Sequence, residues 1–140
     1  MFKWTVCDPL VDHAIDKGTI AQEEILSAFR DFPWTAMLAK MDGVNEDEIY
    51  FPPSIGFTNL DDAHALEIIM VEDEDEIVFY LFYEESEDDP SRLQLLDQTP
   101  EVTTEVLAEF VDGHYDRVRA RFEAEDESTT RDPKPWWKFW

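Results

Sequence analysis

The chain has 140 residues, 44% of them hydrophobic and 14% aromatic, which is enough to bury one core unaided and too apolar for a disordered acidic tail. Its 34 Asp and Glu against 11 Lys and Arg give a net charge of −23, which disfavours direct binding of nucleic acid. A single cysteine, Cys7, rules out an internal disulfide framework, and no apolar run approaches the roughly 20 residues of a membrane span.

The opening MFKWTVCDPLVDHAIDKG is interrupted by Asp8, Asp12 and Asp16, so it does not read as a secretory leader, and a cytoplasmic protein is expected. Phe2, Trp4 and Val6 alternate with Lys3 and Thr5, which predicts a short strand. Thr19 and Gln22 match a capping box ahead of a helix over IAQEEILSAFR, with Ala21, Ile25, Ala28 and Phe29 on one face. Pro33 can open a second helix, WTAMLAKM, that stops before Gly43.

The middle reads as sheet. Ile49 and Phe51 alternate before Pro52-Pro53 breaks the run, and SIGFT repeats the alternation through Ile55 and Phe57. AHALEIIMVE and EIVFYLFYE are apolar on both faces and predict two central strands. The segment joining them lacks Gly or Asn, so a hairpin with a longer loop is expected. Leu93 and Leu95 mark a further strand after Pro90.

The last third returns to helix. Thr99 is a good N-cap with Pro100 at the first helical position. Val102, Val106, Phe110, Tyr115, Val118 and Phe122 continue a helical stripe that Gly113 either ends or interrupts. The whole predicts a single α+β domain over residues 1–125, an antiparallel β-sheet with N-terminal and C-terminal helices packed on one face. Residues 126–140 form a polar linker and an aromatic-rich tail. Trp136, Trp137, Phe139 and Trp140 are too many to leave in water, so the tail should dock on its own domain or on a second copy. A homodimer through the tail is thus open, whereas anionic lipid would repel so acidic a chain.

Tests for chemistry come out negative. There is no Gly-x-Ser-x-Gly elbow, and nothing pairs Cys7 with His13. Asp61, Asp62, His64 and Glu67 lie close in sequence, but His64 and Glu67 fall on opposite strand faces. His13, His64 and His114 form no i, i+4 pair, and the glycines are isolated, so no zinc helix or phosphate loop is present. The expectation is a non-enzyme with no catalytic residues, no metal and no cofactor.

What stands out is where the acid falls. From Met41 to Ser91 there is no Lys or Arg, and there are 17 Asp and Glu. Acid beside apolar strands can simply keep a protein soluble. A uniform solubility bias would not, however, segregate the cations. The sharper expectation is a surface that steers a basic partner. Its candidate residues are Glu46, Asp47, Glu48, Tyr50, Asp61, Asp62, Asp73, Glu74, Asp75, Glu84, Glu85, Glu87, Asp88 and Asp89, with Trp34 and Tyr83 as further aromatic anchors.

In size, acidity and α+β character the chain resembles immunity proteins, small cytoplasmic inhibitors that a bacterium makes against its own toxins. That profile implies a basic protein partner, a toxin, and no reaction by the chain itself. A phage-type DNA mimic blocking a nucleic-acid enzyme, and a self-associating acidic structural domain, are the rival readings.

Overall fold

A computed structural model describes residues 1–73, 76–85 and 93–128. Among them the chain forms strands β1 (Phe2–Cys7) and β2 (Ile15–Ile20), helices α1 (Ile25–Asp31) and α2 (Trp34–Met41), strands β3 (Ser54–Asn59), β4 (Ala65–Asp73), β5 (Glu76–Glu84) and β6 (Leu93–Gln98), and helices α3 (Pro100–Val111) and α4 (Tyr115–Ser128). The strands make one antiparallel sheet in the order β2-β1-β3-β4-β5-β6, so the class is α+β. Among the described strands the order departs from the sequence between β1 and β3, where β2, α1 and α2 intervene.

The two apolar strands are interior, as their sequences predict: β4 lies between β3 and β5, and β5 between β4 and β6. Strand pairing sorts their side chains. Leu66, Ile68, Met70, Phe79, Leu81 and Tyr83 join one cluster with Ile25 and Phe29 of α1, Val106, Leu107 and Phe110 of α3, and Val118 and Phe122 of α4. Each such buried side chain contributes about 1.5–3 kcal/mol. Ile69, Tyr80 and Phe82 alternate onto the other face and join Val71, Val78 and Leu96 in a second cluster, made among the described residues of strand residues.

Several local expectations hold. Thr99 caps α3 by accepting from the Val102 amide at 3.2 Å, with Pro100 beside it. Gly113 adopts φ +78° and ends α3, a left-handed stop that a glycine takes without strain.

Others need correction. Thr19 and Gln22 do not form a capping box: in β2, Thr19 pairs with Lys3 of β1 and Ile20 with Phe2, and the Gln22 side-chain Nε2 donates to the Val111 carbonyl at 3.0 Å. Residues 22–24 make a single 3-10 turn before α1. The alternation of Ile49 and Phe51 builds no strand; a 3-10 turn at Glu46–Glu48 leads into Pro52-Pro53 instead. The β4–β5 hairpin pairs Asp73 with Glu76, leaving positions 74 and 75 rather than a longer loop. Among the described residues no helix is long and apolar enough to cross a membrane.

Candidate binding surface at the two ends of the sheet

The cation-free segment does not make one patch. Antiparallel pairing sends its turns to opposite ends of the sheet. Glu46–Tyr50 and the Asp73 end of β4 lie at the end where β3 begins, since Ser54 pairs with Ile69 and the Met70 amide donates to Pro53. Asp61, Asp62, Glu84 and Glu85 lie at the other end, where Ala65 pairs with Glu84. Eight residue steps along β4 separate the ends by roughly 26 Å. That is several times the Debye length of about 8–10 Å in physiological salt, so each end attracts charge on its own. Glu74, Asp75, Glu87, Asp88 and Asp89 lie outside the described residues.

The first end is assembled around Asp8. Its Oδ1 accepts from the Leu10 amide at 2.9 Å, and its Oδ2 accepts from Lys40 Nζ at 2.5 Å. Burial alone would raise the Asp8 pKa, but the hydrogen bonds from Lys40 and the Leu10 amide and the charge of Lys40 together hold it below the usual carboxylate range. The next carbonyl, that of Pro9, accepts from the Tyr50 amide at 2.9 Å. Asp8 and its neighbour therefore tie three segments, residues 8–11, α2 and residues 46–51, into one surface. Tyr50 is 56% exposed there and Leu10 44%. Asp42, next in the chain after α2, and Asp47 and Glu48, just ahead of Tyr50, are exposed, and none makes an ion pair or side-chain hydrogen bond with another described residue.

The second end is closed on itself. In the β3–β4 turn Asn59 Oδ1 accepts from the Asp61 amide at 2.9 Å and Asp62 Oδ1 from the His64 amide at 3.1 Å, which holds Ala63 at φ +66°. His64 stacks on Tyr115 with centroids 3.8 Å apart, and its Nδ1 lies 2.7 Å from the Tyr83 hydroxyl. The Tyr115 hydroxyl accepts from Asn59 Nδ2 at 2.9 Å. Burial, then its hydrogen bond to the Asp62 carboxylate, pushes Tyr115 up to about 12, and burial with the nearby Glu85 charge pushes Tyr83 up further. Such phenols stay protonated and act as fixed hydrogen-bond groups. Arg119 then takes Glu85 at 2.8 Å and Glu123 at 2.8 Å, and Asp61 lies 3.7 Å from the Met1 amino group. Met1 and Leu60 are exposed here.

The three expected aromatic anchors part company. Tyr50 is presented to solvent. Tyr83 is fully buried and cannot be an anchor, because its ring packs against Phe110 and Phe122 beneath the hydroxyl that meets His64. Trp34 is half-buried; its Nε1 donates to the Phe29 carbonyl at 3.1 Å, and its ring lines an apolar groove of about 480 Å³ between α1, α2 and the first half of β5. Leu10, Asp8 and Lys40 were not singled out in the sequence. The Asp8-Pro9 step is a turn signal, but nothing local shows that Tyr50 will meet it.

Comparison with known proteins finds no relation: no family model matches the chain, and neither a curated protein nor a solved structure is significantly similar to it.

Proposed function

We propose that this chain is a cytoplasmic inhibitory binding protein, the immunity partner of a basic toxin, which docks through the Leu10–Tyr50 end of its sheet and performs no chemistry of its own. The observation that carries this reading is the exposed Tyr50 and Leu10 beside Asp42, Asp47 and Glu48, carboxylates without a described counter-ion. A rigid aromatic supplies the anchor, and the unpaired acids supply the steering.

The helices, on this reading, occupy one face of the sheet and brace the docking end from behind. Its support is the single cluster that joins α1, α3 and α4 to alternate strand residues. The DNA-mimic reading gains less, since a mimic needs acids spaced like phosphates and has no use for an exposed Tyr and Leu among them.

Co-expression tests the proposal. The product of the neighbouring reading frame, expressed alone, should arrest growth, and this chain should restore it. Rescue should fail with Tyr50→Ala combined with Asp47→Lys and Glu48→Lys, and survive Asp61→Lys with Asp62→Lys. If the chain instead binds duplex-DNA enzymes indiscriminately, or only itself, the proposal is wrong.

A further inference from the structure

The second face of the sheet poses a separate question. Ile69 is 2% exposed and Phe82 5%, yet among the described residues their cluster contains only residues of β4, β5 and β6. A half-covered sheet leaves one face wet and polar, whereas this strip carries Ile69, Val71, Val78, Tyr80, Phe82 and Leu96 in a row across three strands. Two carboxylates share that face: Glu67 pairs with Phe82, and Glu84 with Ala65. Both line a shallow cavity of about 200 Å³ with Thr5, Cys7, Ser54 and Gly56.

We infer that residues 129–140 dock in cis across this strip, laying Trp136, Trp137, Phe139 and Trp140 on the apolar row and Lys134 and Lys138 toward Glu67 and Glu84. Three facts support the assignment. Helix α4 packs against the edge strand β6 and ends at Ser128, so the remaining segment continues from the helix that covers that edge. Twelve further residues reach about 40 Å, while the span from β6 to β3 is about 14 Å. The segment 129–140 carries four large aromatics, two Lys and one Arg against one Asp, so it complements an apolar strip flanked by carboxylates. Burial of the aromatic rings drives the docking, and the Lys–Glu pairs at the rim fix its direction.

The test is fluorine NMR of the full chain made with 5-fluorotryptophan. The five resonances are assigned by single Trp→Phe exchanges. The three tail resonances should be displaced from those of a synthetic 129–140 peptide, and dilution should leave them unchanged. Val78→Arg should return them to the free-peptide positions while Trp4 and Trp34 stay in place. Val71→Arg, its cross-strand neighbour, serves if Val78→Arg does not fold. Tail resonances at free-peptide positions in the parent chain would overturn the inference. Displacement insensitive to both substitutions would place the tail elsewhere, and displacement lost on dilution would make a second copy the acceptor; either result also overturns it.

Discussion

The two ends of the sheet share a composition and differ in what their carboxylates do. At the β3–β4 turn, acid is consumed internally: Glu85 by Arg119, Asp62 by Tyr115 and the His64 amide. At the Leu10–Tyr50 end, one carboxylate, Asp8, is spent on holding the backbone, and Asp42, Asp47 and Glu48 face water. Both ends expose an apolar pair, Met1 with Leu60 and Leu10 with Tyr50, so exposed grease does not separate them. Charge neutralisation does. An acidic sequence run therefore becomes a candidate docking surface only where the fold withholds a counter-ion.

The largest expected effect lies at the closed end. Tyr83→Ala should cost about 3–5 kcal/mol in urea unfolding, because it empties a buried ring site and strips His64 of its partner. The fraction that folds should still bind. A Tyr83→Ala protein that is fully stable but cannot bind would reverse the assignment of the two ends.

Next comes Tyr50→Ala. It should weaken partner binding by about 2 kcal/mol, roughly 30-fold, in calorimetric titration. Stability should change by less than about 0.5 kcal/mol, as for an ordinary surface position. Leu60→Ala at the other end should leave the affinity unchanged.

Smaller again are the charge reversals. Asp47→Lys with Glu48→Lys should slow association by about 10-fold at low ionic strength, and less as salt rises. The same exchange at Asp61 and Asp62 should do little.

The mildest effects are in the pH profile, and the ends respond at opposite extremes. The depressed pKa of Asp8 means that the folded chain binds a proton less readily than the unfolded one. Its stabilisation is present above about pH 4 and is lost as pH falls through the lowered value. Asp8→Asn should flatten that acid limb. The raised pKa of Tyr115 acts the other way: its contribution is complete below about pH 10 and fades as pH rises to about 12. Tyr115→Phe should flatten the alkaline limb and leave the acid limb alone.

Much of the fold could be read locally. Apolar residues on both faces of 65–73 and 76–84 place those strands inside the sheet, and Thr99-Pro100 announces α3. Strand β2 escaped because IDKGTI is an edge strand with four consecutive exposed residues, so it has little apolar alternation to detect. Its Thr19 and Gln22 mimic a capping box, yet pairing with Lys3 claims the backbone of Thr19. For the surface, the acids were legible but their pairing was not. Arg119 reaches Glu85 across 34 positions, and Pro9 meets Tyr50 through a chain reversal that no local pattern encodes. Tyr83 sits in an acid-flanked run that suits an interface, and only the register turns its ring into the core.

The most direct test of the central claim is the rate of association with the neighbouring gene's product, followed by stopped flow as a function of ionic strength. With Asp47→Lys and Glu48→Lys the low-salt rate should fall and the dependence on salt should flatten, while Asp61→Lys with Asp62→Lys follows the parent curve. Identical curves for all three proteins would contradict the claim that this end of the sheet guides a basic partner.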